Sequence, residues 1–346
     1  MLIKKKLLKK ITISSKSKIL DVINNLNRSG LRIVLIEDNN KKFVGVINDG
    51  DIRRALITGH NVNDKIINII NRNCFISNNE FNFDKKNKIL KKNENIFSHI
   101  PIIKKNKIFG LYTKNLNNNY DHKKIKDNLV IMAGGFGKRL GKLTRNCPKA
   151  LLKYQDKPLL QHLLENARDF GFTNFIISIY YLKNKIKKFL KNQQTTNQKI
   201  SFLEEKKPLG TIGALRLIKK ISNSFIVINC DVITNVDLLE ILKFHKKNKP
   251  IMTIGVKQFK YQNPYGVINV NKGRFISFEE KPEINFNINA GVYVFNKKII
   301  KIIKKEKFNN IEELIQHLSS KKSKILTYPI FENWLDLGQD KKNLKE

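Results

Sequence analysis

Short unbroken apolar runs alternate along this chain with stretches in which apolar positions recur three and four residues apart. From residue 128 onward the runs 129–132, 175–179, 200–203, 225–229 and 251–256 predict short buried strands, with helices filling the intervals. One helix is clearly bounded: Pro158 stands at its first turn, Leu159, Leu160, Leu163 and Leu164 form its apolar stripe, and Gly171 follows its last turn. Such alternation predicts an α/β unit with a doubly wound, mainly parallel sheet and ligands at the carboxyl ends of its strands. The earlier part predicts an α+β unit: an amphipathic helix at 19–26, strands at 32–37 and 43–47, and a helix at 52–57.

Between the two lies the polar stretch 114–128, rich in asparagine and without apolar periodicity, which reads as a linker. The chain of 346 residues thus divides into domains at 1–120 and 127–346, each large enough for a core. No run approaches the ~18 apolar residues of a membrane span, and the first ten residues alternate lysine with leucine without the apolar core of a signal peptide. A soluble, cytoplasmic protein is expected. Cys74, Cys147 and Cys230 are far apart, which argues against a disulfide framework or a zinc site.

The net charge of +38 raises a nucleic-acid reading. Only ten of the 67 basic residues are arginine, however, and lysines are spread along the whole chain. No nucleic-acid motif or aromatic-basic platform accompanies them, so no specific nucleic-acid partner and no membrane partner is expected.

The most informative segment is 129–152, an apolar strand running into Ala133, Gly134, Gly135 and Gly137, then Lys138, Arg139 and, further on, Pro148 and Lys149. Glycines let backbone N–H groups approach a polyphosphate, and the cations supply counter-charge. A P-loop does not fit: Gly137-Lys138 is followed by Arg139, and Met132 stands where the first glycine belongs. A dinucleotide fingerprint starting at Gly135 would need glycine at Leu140. The segment resembles the signature of the sugar-1-phosphate nucleotidyltransferases, G-x-G-T-R-L followed by P-K-P-L. Here Gly135-Phe136-Gly137-Lys138-Arg139-Leu140 and Pro148-Lys149-Ala150-Leu151 correspond, with Lys138 for the threonine and Ala150 for the second proline.

Further motifs follow in that family's order. Pro208-Leu209-Gly210-Thr211-Ile212-Gly213-Ala214-Leu215 resembles P-L-G-T-A-G-A-L, and Asn229-Cys230-Asp231 resembles the metal motif. Tyr265-Gly266-Val267, Glu280-Lys281-Pro282 and Asn289-Ala290-Gly291-Val292-Tyr293 resemble the sugar-binding stretch, and Trp334-Leu335-Asp336-Leu337-Gly338 resembles W-x-D-x-G. The resemblance implies a Rossmann-like nucleotidyltransferase fold. In it Ala133, Gly134, Gly135, Gly137, Glu205 and Gly210 bind the nucleotide, and Gly266, Glu280, Lys281 and Asn289 bind the sugar phosphate. Asp231 and Asp336 would hold Mg2+, a hard ion that takes one or two carboxylates plus phosphate oxygens.

The N-terminal part resembles a pair of CBS modules. Val44-Gly45-Val46-Ile47-Asn48-Asp49-Gly50-Asp51 matches the end of the first, and 66–116 reads as a weaker second copy with strands at 99–103 and 107–113. The resemblance implies either an adenine nucleotide at the pair, with Asp51 on the ribose, or a purely structural or dimerising role. Asn48 replaces the usual hydroxyl residue, and Leu116 stands where the second aspartate belongs.

The reaction implied is attack by a sugar 1-phosphate oxygen on the α-phosphorus of a nucleoside triphosphate, with pyrophosphate leaving. Arg139 would grip the β- and γ-phosphates, Lys149 the α-phosphate and Lys281 the attacking phosphate. Glu205 stands where uridylyl and thymidylyl relatives tend to carry glutamine. Guanine's adjacent N1–H and N2–H donors suit a carboxylate, so GTP is favoured over UTP or dTTP. The CBS-plus-transferase arrangement resembles enzymes of bacterial surface-glycan synthesis, with glucosamine, mannose or heptose 1-phosphate as candidates, and a homo-oligomer is expected. Two other readings stand beside this one: an inactive nucleotide-sensing CBS protein, and a molybdenum-cofactor-type guanylyltransferase, which would lack the Glu280-Lys281-Pro282 and Asn289-Ala290-Gly291 motifs.

Overall fold

The computed structural model describes residues 2–3, 8–78, 99–113, 124–191, 193, 198–338 and 344. The chain falls into two compact units, Met1–Asp121 and His122–Glu346.

In the first unit β1 (Leu2–Ile3) pairs with the later hairpin, while β2 (Thr12–Ser14), β3 (Ile33–Glu37) and β4 (Phe43–Asn48) form a sheet in that order. The hairpin is β5 (His99–Lys104) with β6 (Lys107–Thr113), at the positions the second copy predicts. Residues 79–98 and 114–116 of that copy lie outside the described residues. Helix Ile19–Ser29 turns Ile19, Val22, Ile23 and Leu26 inward and ends on left-handed Gly30, whose N–H donates to the Leu26 carbonyl at 3.1 Å. Helix Asp49–Ile57 starts earlier than 52 because of a capping box: the Asn48 side chain accepts from the Asp51 N–H, and Asp51 Oδ2 accepts from the Asn48 N–H.

The second unit opens with β7 (Ile125–Met132). Here the linker reading needs correction. Of 114–128, residues 114–123 lie outside the described residues, but 125–128 belong to the sheet. The Ile125 N–H donates to the Gly171 carbonyl, and Asn128 exchanges hydrogen bonds of 2.9 Å with Ser222. Polar residues at the amino end of a central strand lose the apolar signature while keeping the ladder.

A small hairpin of β8 (Lys153–Tyr154) and β9 (Lys157–Pro158) leads into helix Leu159–Asp169. Then come β10 (Phe172–Ile179), β11 (Lys199–Glu204), β12 (Ser224–Asn229), β13 (Val232–Thr234), β14 (Met252–Gln262), β15 (Val267–Asn271), β16 (Arg274–Glu279), β17 (Glu283–Asn296), β18 (Ile325–Ile330) and β19 (Trp334–Asp336). The central sheet has the order β11-β10-β7-β12-β17-β14-β18, and only β17 runs against its neighbours.

Alternation along each strand sends side chains to both faces. Leu129 and Ile131 pack against helices Leu159–Asp169, Lys183–Lys191 and Leu238–Asn248, whereas Val130 packs against Lys298–Glu306 and Ile311–Ser320. The expected mainly parallel sheet with helices on both faces is what forms. In the interval between β11 and β12, where the alternation predicts a helix, a short 3-10 turn, Gly213–Leu217, forms instead. Phe225 and Phe295, both fully buried and directly paired on β12 and β17, meet edge to face at 5.7 Å on one face of the sheet; burying such a ring contributes about 2–3 kcal/mol. The sheet thereby fixes the ends of β7, β10, β12 and β17, where the site lies.

Candidate active site

The glycine-rich loop leaves the carboxyl end of β7. The Ala133 N–H still belongs to the sheet, donating to the Ser178 carbonyl at 3.1 Å. A side chain at Gly134 would run into the Glu205 carboxylate, and one at Gly137, where φ is +65°, would meet Thr144 Cγ2 at 2.7 Å. At both positions glycine permits close approach in the left-handed or crowded backbone. Gly135, in contrast, faces open space. The Thr144 hydroxyl closes the loop through the Gly137 and Gly141 carbonyls, each at 3.2 Å. Beside it lies a cleft of about 290 Å³ lined by Phe136, Gly137, Lys138, Arg139, Lys149 and Gly338. Three cations on one cleft fit a polyanion.

Asp231 follows β12, and Asp336 ends β19. The antiparallel pairing of β13 with β19 sets Val232 opposite Asp336, and the Leu337 N–H donates to the Asp231 carbonyl at 3.0 Å. Trp334 anchors β19 by donating its indole N–H to the Ala290 carbonyl at 2.9 Å. Lys149 Nζ then forms an ion pair with Asp231 Oδ2, both side chains mostly buried. At Gly338 a Cβ would lie 2.6 Å from Asp231 Oδ2, 2.8 Å from Lys149 Nζ and 2.9 Å from Asp336 Oδ1. Two carboxylates and an ammonium therefore converge on one point. Burial by itself would lower the Lys149 pKa, but the charge of Asp231, the hydrogen bond to it and the charge of Asp336 outweigh that and hold the ammonium above its ordinary range. Burial pushes the neighbouring Cys230 thiol up to about 12, so it stays protonated and inert. No group of three or more potential metal-ligating side chains occurs among the described residues.

Glu205 is not open to solvent as a base-reading carboxylate would be in the free site. It is 6% exposed, its Oε1 accepts from the Ser178 hydroxyl at 2.6 Å, and its Oε2 accepts from the Leu209 N–H at 2.9 Å. Each oxygen keeps a further lone pair. Gly210, with φ +77°, is demanded by the backbone of Asn309, which a Cβ would approach to 2.6 Å.

The sugar-motif residues sit where β14 and β17 extend past the sheet. Gly266 lies against the Phe278 ring and Glu280, and Glu280 and Lys281 are exposed. The Asn289 side chain donates to the Tyr293 hydroxyl at 2.7 Å and accepts from the Gly291 N–H at 3.0 Å. In the first unit Asp51 is tied into its capping box and pairs with Arg54.

Sequence reasoning missed three features. Ser178 is fully buried near the end of β10, and a lone hydroxyl inside an apolar strand is the signal that marks it. Phe136 lies 5.4 Å from both Tyr180 and Tyr181, and the Tyr181 hydroxyl donates to the Arg145 carbonyl at 2.7 Å, clamping the loop. Gly338 belongs to a motif already noted, but its crowding by three charges has no sequence signal.

A glycine-rich loop and a cation-lined cleft at the carboxyl ends of parallel strands, with Asp231 after β12 and Asp336 brought beside it by the β13–β19 ladder, define a nucleotide-handling α/β unit. The chain belongs to the nucleotidyl transferase family, whose profile matches residues 128–345; a CBS domain profile matches residues 5–58. Mannose-1-phosphate guanyltransferase beta-B of Xenopus laevis is 32% identical over 221 residues, covering 61% of this chain and 61% of that protein. Mannose-1-phosphate guanyltransferase of Aspergillus oryzae is 33% identical over 223 residues, with the same coverage of 61% and 61%. The chain thus spans 61% of the length of these curated relatives. The crystal structure of HddC from Yersinia pseudotuberculosis is 27% identical, with a TM-score of 0.48 over 61% of this chain and 94% of that one.

Proposed function

We propose that the second unit transfers a guanylyl group from GTP to a sugar 1-phosphate, releasing pyrophosphate and a GDP-sugar. The observation that carries this reading is the convergence of Asp231, Asp336 and Lys149 on Gly338 beside the cation-lined cleft. In the reaction a phosphate oxygen of the sugar 1-phosphate attacks the α-phosphorus, and the bond to the β-phosphate bridging oxygen breaks. The attacking phosphate is already a dianion near neutral pH, so the step calls for alignment and charge neutralisation rather than a general base.

Arg139 and Lys149 bind the triphosphate, the loop at Gly134, Gly135 and Gly137 brings backbone N–H groups near it, and Glu280, Lys281 and Asn289 orient the sugar phosphate. Asp231 and Asp336 are two oxygen donors at one point, a set that fits a hard divalent cation completed by substrate oxygens. Mg2+ bound there would neutralise charge on the α-phosphate. Guanine as the base and mannose 1-phosphate as the first acceptor to test are supported by the matched relatives, which carry the name mannose-1-phosphate guanyltransferase. A homo-oligomer, a role in surface-glycan synthesis and an adenine nucleotide at the CBS unit belong to the same proposal. Among the described residues no helix is long and apolar enough to cross a membrane.

Initial rates of pyrophosphate release with GTP, ATP, UTP and CTP against mannose, glucosamine and heptose 1-phosphates test the reading. A clear preference for GTP is expected; a preference for UTP would overturn the guanine assignment.

A further inference from the structure

Glu205 follows β11 at the carboxyl edge of the sheet, where ligands of such sheets bind, and its carboxylate lies against Gly134 of the glycine-rich loop. The chain from Glu205 to Arg216 is therefore a wall of the same site. Its regular structure is confined to the turn Gly213–Leu217, and it contains Gly210 and Gly213, residues that give a free chain the most conformations to lose. Other parts of the fold must hold it.

Two anchors do so. Before Gly210, the Leu209 N–H donates to Glu205 Oε2 at 2.9 Å, and the Glu205 N–H donates to the Ile179 carbonyl of β10 at 3.1 Å. After it, the Ile212 and Gly213 N–H groups both donate to the Asn309 carbonyl, at 3.0 and 3.2 Å, and the Thr211 hydroxyl accepts from the Ile311 N–H at 3.0 Å. The second anchor is thus the link between helices Lys298–Glu306 and Ile311–Ser320. Gly213 admits the close approach: a Cβ there would lie 2.9 Å from Leu209 Cβ and 3.1 Å from Arg216 Nη2.

Arg216 closes the arrangement from the far side. Its Nε donates to the Gly213 carbonyl at 3.1 Å, one terminal nitrogen to the Lys307 carbonyl at 2.9 Å and the other to Asn309 Oδ1 at 2.9 Å. All three acceptors are neutral, so the guanidinium serves here by its shape. A rigid planar fork satisfies three acceptors at once, which a single ammonium on a flexible stem does not. Gly210 and Thr211 are left between two fixed points, ordered before any nucleotide arrives. A loop ordered in advance loses less conformational freedom on binding, and the ligand binds more tightly for it.

We infer that Arg216 and Asn309 are positioning residues, a latch that holds residues 209–213 in the shape that receives the nucleotide. This rests on the reading under Proposed function, in which the second unit takes GTP. Fluorescence titration of the full chain with mant-GTP and Mg2+ tests it, beside steady-state KM values and melting curves. Arg216→Met keeps the aliphatic stem and removes the donors, Asn309→Ala removes one side-chain acceptor and leaves the carbonyl bonds, and Asn309→Asp restores an acceptor. The Kd for mant-GTP and the KM for GTP are expected to rise about tenfold in Arg216→Met and about threefold in Asn309→Ala, and to return close to wild type in Asn309→Asp. The KM for the sugar 1-phosphate and kcat are expected to stay within about twofold.

Variants that melt lower yet bind mant-GTP as the wild type does overturn the latch, since stability is then all that Arg216 and Asn309 supply. A KM that rises equally for both substrates overturns it too. If Arg216→Met does not fold, the two Asn309 variants, each a change of one exposed side chain, decide the matter. A wild type that binds mant-GTP but releases no pyrophosphate with any sugar 1-phosphate ends the functional reading, while the variants' Kd values still decide the latch.

Discussion

Lys149 reaches across 82 residues of sequence to hold the carboxylate of Asp231. Neither residue is near the other in the chain; the sheet order that places β7 beside β12 brings their loops together. An ammonium paired with one of two adjacent carboxylates keeps the cluster at modest net charge until a triphosphate arrives. Replacing Asp231 by Asn keeps the shape and removes the charge. The expected outcome is a loss of kcat on the order of 10²-fold or more, with the melting temperature little changed; steady-state kinetics and calorimetry check the two halves.

Gly338 is crowded by three charged atoms within 2.9 Å of where a Cβ would stand. Gly338→Ala must push Asp231, Lys149 and Asp336 apart, and small misplacements of reacting groups cost about 10²-fold. A variant that folds normally yet loses that much kcat is expected; full activity would show that the three groups need not converge.

Lys138 is exposed on the cation-lined cleft, where the family pattern has threonine. As a third cation facing the polyanion it should add ground-state attraction. Lys138→Thr is expected to raise KM for GTP about three- to tenfold with kcat nearly constant, and the difference should shrink as salt is added, since exposed charges are screened.

Ser178 donates to Glu205 in a fully buried position. Removing the hydroxyl leaves a buried carboxylate oxygen short of a donor, at a cost of about 1–3 kcal/mol. Ser178→Ala should lower the melting temperature and weaken selection for GTP over the other triphosphates. Measured KM ratios that do not move would separate Glu205 from base reading.

His245 is 1% exposed, with Nδ1 2.9 Å from the Thr253 hydroxyl, and its pKa is lowered to about 4 by burial and, secondarily, by Lys246. His99 in the first unit is likewise lowered to about 4 by burial and by Arg32. Above about pH 6.5 both histidines are neutral in either state and contribute no pH dependence. Below it the unfolded chain takes up protons that the folded chain refuses, so stability falls from pH 6.5 toward pH 4. His245→Gln should flatten part of that slope, read as a smaller fall in melting temperature between pH 6.5 and pH 4.

The core of the fold was legible because its strands are buried on both faces: runs such as 225–229 have no other stable use. The ends of strands were not. Residues 125–128 are held by ladder and side-chain hydrogen bonds, and 257–262 pair with β17 outside the core, so neither segment carries an unbroken apolar run. In the site, resemblance named Asp231 and Asp336, but their meeting depends on the β13–β19 ladder and on Trp334 docking to Ala290, which spacing alone does not encode. A carboxylate at Glu205 suits guanine's donors, but the side chain is buried against Gly134 and fastened by Ser178. Its hydroxyl partner lies 27 residues away on a neighbouring strand. Such relationships belong to the register of the sheet.

The central claim is nucleotidyl transfer at the Asp231, Asp336 and Lys149 cluster. Phosphorus NMR of the full chain with GTP, mannose 1-phosphate and Mg2+ tests it most directly, alongside Asp231→Asn. Growth of GDP-sugar and pyrophosphate signals in equal amounts with the wild type, and their near absence with the variant, is the predicted result. Equal product formation by both proteins would contradict the assignment of the cluster, and no product from any sugar 1-phosphate would contradict the activity itself.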